Sequence, residues 1–255
     1  MVIFRDYTTD ELIMNLPCDI GNNVLLYPTL VKDYKKFNNY IKYIIFGRRH
    51  LQLPKETSLL KGIVSFYISA MNGNNASMDN EQGVATMITV LNEMCEMFSM
   101  ITRSEITYSN TLEFSNSDKS IVINDKNFDI FRMVVLKMNM LREPKIYERE
   151  IDKKWEEKAL IAKRKNNKNI ELGEILTVVR NTTHEKYEDL INMNVFQLYC
   201  DYFRIQQVMA HKDTALFATV SDKIKPTEFI DSIFEVLYRD PTKDLNVKND
   251  FTKFM

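Results

Sequence analysis

The chain has 255 residues, with 34 basic and 35 acidic side chains for a net charge of -1, and 45% of it is hydrophobic. This is globular composition: it argues against wholesale disorder and leaves no global basic excess to draw the chain onto nucleic acid or an anionic membrane. With only 6 Gly and 6 Pro, long helices are expected rather than a turn-rich all-β fold.

Arg5 interrupts the first apolar residues, so no signal-peptide core is expected. No apolar run is expected to approach the roughly 18 residues of a membrane span; the longest candidates, Ile41 to Phe46 and Gly62 to Met71, are too short and too broken. Three dispersed cysteines, Cys18, Cys95 and Cys200, read as free thiols in a reducing compartment.

The first twenty residues carry weak periodicity. A turn at Gly21-Asn22-Asn23 precedes a short strand at Val24 to Tyr27, which Pro28 ends. Thr29 then reads as the N-cap of a helix over Leu30 to Phe46, with Gly47 at its C′ position. Gly62 to Met71 is apolar and fits a buried strand or a helix. The stretch Asn72 to Ser77 breaks the chain. A helix follows from Asn80 to Ile101, with Val84, Met87, Leu91, Met94, Phe98 and Ile101 on one stripe that Ile88 and Cys95 widen.

Between Glu105 and Asn124 the period changes to alternation, with a turn at Ser115 to Asp118, and predicts a β-hairpin. A helix restarts near Asn127 and places Phe128, Phe131, Val135, Met138 and Leu141 on one face; Pro144 stops it. The charged segment Tyr147 to Lys165 predicts a helix with a thin stripe of Ile151, Trp155, Ala159 and Ala162. Asn166 to Asn169 breaks it, and Glu171 to Val179 forms a short helical segment. The richest helix runs from Asn194 to Ala210, so apolar that it should be nearly surrounded, by its own fold or by a partner. A last helix follows Thr227 through Phe229, Ile233, Val236 and Leu237.

The predicted fold is therefore mainly α, in two parts with a small β-hairpin element between them. Residues 1–104 form a strand-plus-helices part, 105–124 the hairpin and 125–255 a helical part.

Chemistry-bearing patterns are few. No glycine-rich phosphate loop occurs. His50, His184 and His211 stand alone, without the short spacings of metal ligands, so no metal and no cofactor is expected. Cys200 sits on an apolar helix face and reads as a core thiol rather than a nucleophile. The carboxylates Glu148, Glu150, Asp152, Glu156 and Glu157 interleave with bases and read as a solvated helix face. Met71, Met78, Met87, Met94, Met97 and Met100 suit either an adaptable partner surface or a Met-rich core. No catalytic constellation emerges, and the chain is expected not to be an enzyme.

Several short motifs bear a resemblance to a known family. Tyr27-Pro28-Thr29 leading into Asp33-Tyr34 resembles the start of tail-morphogenesis proteins of long-tailed bacteriophages. Leu141 to Tyr147, Trp155 in a Lys-rich helix, Ile170 to Leu176, and Asp189 to Tyr199 followed by Phe203-Arg204 are similar to phage tail assembly chaperones. Asn194 stands where Thr is usual and serves as the capping residue instead. The resemblance spans residues 120–235 well and 20–46 weakly.

It implies a non-enzymatic factor that binds tape-measure, tail or baseplate-hub proteins in the host cytoplasm during assembly, with no membrane and no nucleic acid as partner; a homo-oligomer is allowed. The alternatives are a permanent component of the virion tail, baseplate or neck, and an early phage protein acting on nucleic acid. Because aromatic residues and Arg dominate interface energy, Phe196, Tyr199, Phe203 and Arg204 are the candidate partner-binding set, with plain core as the competing role.

The run Lys163-Arg164-Lys165 is expected at a helix C-terminus, where cations complement the dipole and add little to stability. Replacing all three with Gln should leave the fold intact, with a melting shift under about 5 °C by calorimetry.

Overall fold

The computed structural model describes residues 7–21, 23–72, 81–109, 112–164, 170–221 and 223–227. The chain is mainly α, with one two-stranded and one three-stranded antiparallel sheet among the described residues. It forms two compact units. The first takes Met1–Ile146 with Ile191–Phe196, and the second takes Tyr147–Leu190 with Gln197–Met255.

The first unit opens with helix α1 (Thr9–Ile13), which weak periodicity conceals. A capping box makes it: Glu11 N–H donates to Thr8 Oγ1, and Thr8 N–H donates to Glu11 Oε2 at 2.8 Å. Strands β1 (Cys18–Asp19) and β2 (Leu25–Leu26) pair antiparallel, Cys18 opposite Leu26. The turn between them uses left-handed backbone at Gly21 (φ 92°) and Asn23 (φ 61°).

The single helix expected over Leu30 to Phe46 is two: α2 (Val31–Asn38) and α3 (Lys42–Ile45). Side chains across the break explain it. The helix α5 (Glu81–Thr102) presents Glu93 and Glu96. Tyr40 OH donates to Glu96, and Tyr43 OH donates to Glu93 at 2.7 Å. Lys36 and Lys42 complete the two tiers at 3.0 and 2.6 Å from Glu96 and Glu93. Both tyrosines are buried, and a turn between α2 and α3 brings their hydroxyls to carboxylates three residues apart on α5.

Leu30, not Thr29, is the N-cap of α2. Gly47 does not take a left-handed C′ conformation. A Cβ there would meet the Glu143 carboxylate at 2.8 Å, so the glycine leaves room for a charge. Glu143 in turn pairs with buried Arg132 at 2.6 Å, and Arg132 donates to Ile45 O.

Gly62 to Met71 is helical, within α4 (Leu59–Asn72), which packs more extensively on α5 than any other pair of elements does. The stripe of α5 is buried from Val90 onward; Val84 and Ile88 are exposed. By length and composition its stretch Gly83–Thr102 could cross a membrane. This corrects the expectation that no run reaches that length: the polar and charged residues that punctuate the helix hid it among shorter candidates.

The expected hairpin is a three-stranded meander: β3 (Thr107–Tyr108), β4 (Phe114–Ser115) and β5 (Val122–Ile123). Ser109 N–H donates to Glu113 O and Tyr108 pairs with Phe114, so Phe114 lies in the middle strand. There its ring meets Phe98 edge-on, with centroids 4.7 Å apart. Helix α6 (Phe128–Met138) adds Phe131 at 4.9 Å and Phe128 at 6.2 Å from Phe98. All four rings are buried. This cluster fastens the sheet and α6 to α5. The compact units therefore part after Ile146, not at the sheet where the sequence suggested a boundary between halves.

The second unit carries α7 (Glu150–Arg164), α8 (Leu172–Thr183), the start of α9 (Tyr187–Asn192) and most of α10 (Val195–Ala218). Its buried side chains include Ile175, Val179, Leu190, Leu198, Cys200 and Tyr202. The breaks expected at Asn72 to Ser77 and Asn166 to Asn169, the basic residue Lys165 and the last helix after Thr227 fall mostly or wholly outside the described residues.

Phe98→Ala removes the ring on which the sheet and α6 converge. It should cost about 3–5 kcal/mol of stability, read by urea denaturation, with α-helical content retained in any variant that folds.

Candidate partner-binding surface

Residues 193–195 return from the second half of the chain to the first unit. Asn194 is fully buried, and its Nδ2 donates to Leu12 O at 2.8 Å and to Asn15 Oδ1 at 3.1 Å. On either side, Val31 N–H donates to Met193 O and Val195 N–H donates to Thr29 O. Helix α10 starts from this anchored segment.

The four candidate residues on α10 separate. Phe196 is fully buried within the segment that belongs to the first unit and presents no surface to a partner. Tyr199, Phe203 and Arg204 are half-buried in the second unit. The Tyr199 and Phe203 rings, four residues apart, lie 6.2 Å apart at 29°. Phe203 also meets Tyr202 edge-on, and Arg204 donates to Gln207 Oε1 at 2.8 Å. Burial pushes the Cys200 thiol up to about 12, with Asp201 adding to the rise and Arg204 opposing it. Asp201 is itself raised, first by burial and then by Glu185.

Helix α10 is not surrounded along its length. It continues to Ala218, past the expected end at Ala210, and its far end is bare. Met209 and Phe217 are exposed, Leu216 is 68% exposed and, just beyond the helix, Val220 is 80% exposed. In the sequence the polar run His211-Lys212-Asp213 looks like an ending. The seven-residue step from Met209 to Leu216 and the absence of Gly or Pro before Pro226 are the signals that the helix goes on.

In the first unit, a cavity of about 650 Å³ lies beside α2 and α5. Its wall holds Lys32, Lys36 and Arg103 together with Asp33, Glu96 and Glu105. The cations are engaged: Lys36 with Glu96, Lys32 with Asn192 Oδ1, and Arg103 over the Tyr27 ring at 4.2 Å. Charges of both signs, mutually compensated, select no ligand class.

The histidines are held by backbone or hold it. His50 Nδ1 accepts from Gly47 N–H while Nε2 meets Pro144 O at 2.6 Å. His184 caps α8 in left-handed conformation, and His211 meets Thr227 O. Among the described residues no three metal-ligating side chains gather. Met94 and Met97 are fully buried and Met87 and Met100 half-buried, which places the described part of the methionine group largely in the core.

A family model described as the YomV second domain matches residues 163–234. The SPbeta prophage-derived uncharacterized protein YomV of Bacillus subtilis (strain 168) is 27% identical over 134 residues. That alignment takes in 52% of this chain and 56% of the relative, so the chain spans about half the length of the curated protein it matches. No solved structure matches. These findings support a phage origin for the chain. They name no tail or baseplate role.

Cys18, Cys95 and Cys200 are buried. Burial pushes Cys95 up to about 11 and Cys200, with Asp201 adding to the rise, to about 12. The thiolate is the reactive species, so at pH 8 these thiols should stay silent to a chromogenic disulfide reagent. In denaturant all three should react.

Proposed function

We propose that the chain is a non-enzymatic phage tail-morphogenesis protein that works by binding other tail or baseplate-hub proteins. The observation that carries this reading is the bare apolar end of α10, where Leu216, Phe217 and Val220 stand exposed on helical spacing with Met209 two turns earlier. Three or more large apolar side chains held on one such surface are a liability in a free protein and an asset in one that meets a partner. The prophage-derived relative supplies the phage context, and the resemblance of the Asp189 to Arg204 stretch to tail assembly chaperones supplies the class of partner. Tyr199, Phe203 and Arg204, half-buried on the same helix, contribute the aromatic and guanidinium chemistry that concentrates interface energy.

The test is co-purification of the tagged chain from phage-infected cells, with the captured tail proteins identified by mass spectrometry. Leu216→Glu with Phe217→Glu should leave the chain folded, because neither side chain is buried, and should abolish capture. Wild-type chain that brings down no tail protein would overturn the reading, as would a double variant that captures them undiminished. Mass spectrometry of purified virions separates an assembly factor, absent from them, from a permanent component.

A further inference from the structure

The chain turns back on its own last described helix. Beyond Ala218, the end of α10, it returns until Thr227 lies against the turn of α10 between His211 and Thr214. Thr227 N–H donates to Thr214 Oγ1 at 2.8 Å, the two threonine hydroxyls lie 3.1 Å apart, and His211 Nδ1 meets Thr227 O at 2.7 Å. Thr214 and His211 stand four and seven residues before the end of the helix. The returning chain therefore points toward the N-terminus of α10.

Residues 228–255 follow, outside the described residues. Their sequence opens with an apolar row, Phe229, Ile230, Ile233, Val236 and Leu237, at the spacing of one helical face, with Glu228, Asp231 and Glu235 on the other. Asp240-Pro241 closes it. The match to the YomV second domain runs to position 234 and so takes Phe229, Ile230 and Ile233 together with α10.

Ten residues of helix extend about 15 Å. From the tether at Thr227 that length reaches back along α10 to the level of Phe203. On the tethered side α10 offers Gln207, four residues before His211, and one turn earlier Arg204 and Phe203; all three are half-buried. Met209 and Leu216 each stand two residues from a tether residue, which turns them to the opposite side of the helix.

We propose that residues 228–237 form a helix that packs antiparallel on α10, its apolar row against Phe203 and the stems of Arg204 and Gln207. The chain itself covers this side of α10. A tethered segment needs no second molecule: Thr227 already holds its start against the surface, at a high effective concentration. The contact does not rest on the tail-protein reading, and it leaves Met209 and Leu216 open. A partner that reaches Phe203 and Arg204 must first displace the segment.

The full chain tests this with two cysteine pairs, because Cys18, Cys95 and Cys200 are buried. Gln207→Cys with Ile233→Cys sets thiols at one level on facing sides; Met209→Cys with Ile233→Cys sets them on opposite sides of α10. A disulfide cannot bridge Cα atoms more than about 7 Å apart. Under mild oxidation the first pair should close within one chain, by peptide mass spectrometry, in about tenfold excess over the second. A second measurement needs no disulfide. Ile233→Asp with Val236→Asp should speed alkylation of Gln207→Cys by about tenfold, leave that of Met209→Cys unchanged and keep most of the helical circular dichroism. Where that variant fails to fold, the cross-link decides. A first pair with no excess over the second overturns the proposal. So does a disulfide that forms only between chains, which would make a second copy the occupant, or alkylation at position 207 that the two Asp substitutions leave unchanged in a folded chain.

Discussion

One buried amide closes the first unit. Asn194 reaches Leu12 and Asn15 across some 180 positions of sequence, and the backbone on either side of it pairs with Thr29 and Val31. The elements gathered there are small: α1 has 5 residues, and β1 and β2 have two each. Isolated helices and hairpins of this length do not hold in water. What fixes them is burial and the accounting of polar groups. A buried amide without partners costs about 1–3 kcal/mol, and a slip of residues 193–195 by one position would leave Asn194 unmatched. The amide thus selects a register that apolar contacts alone would leave open.

The same logic runs through the face that α2 and α3 turn to α5. Tyr40 and Tyr43 are buried with their hydroxyls satisfied by Glu96 and Glu93. Burial, and then the bond to a carboxylate, raise both phenols. Hydrogen bonds from Tyr40 and Lys36 lower Glu96; burial works against Glu93, and Lys42 and Tyr43 outweigh it. Each tier satisfies an acid with one neutral and one cationic donor. Arg132 with Glu143 is a third polar contact of the unit, and Gly47 is the residue whose missing side chain admits it. Polar pairs of this kind specify which faces meet; the phenylalanine cluster around Phe98 supplies the apolar area.

Much of this was legible in the sequence. The stripe Leu91, Met94, Phe98 and Ile101 and the face Phe128, Phe131, Val135 and Met138 were written in helical period, and both are buried. The illegible parts have physical causes. The break at Asn39 to Ile41 depends on glutamates 50 and 56 positions from the tyrosines they hold, so local propensity alone favours one long helix. Phe114 sits in a middle strand because β4 pairs with β3 as well as with β5, a pairing that no glycine between them announces in the sequence. The capping box of α1 is a different case: Thr8 and Glu11 stand at the right spacing and announce the helix despite its weak apolar period. On α10, aromatic composition pointed to Phe196, which the fold buries, while the bare side chains lie beyond a polar run that looks like an ending.

The register that Asn194 enforces also sets an order of events in time. Leu12 and Asn15 leave the ribosome early, but their partner is made 182 positions after Leu12. Until then α1 lacks this contact, and the ends of a very long loop must find each other before it gives anything back. The segment around α1, made well before its partner, is therefore among the last to settle. During that interval its apolar residues Leu12, Cys18 and Leu26, all buried in the finished fold, stay open to whatever the cell offers as a holdase.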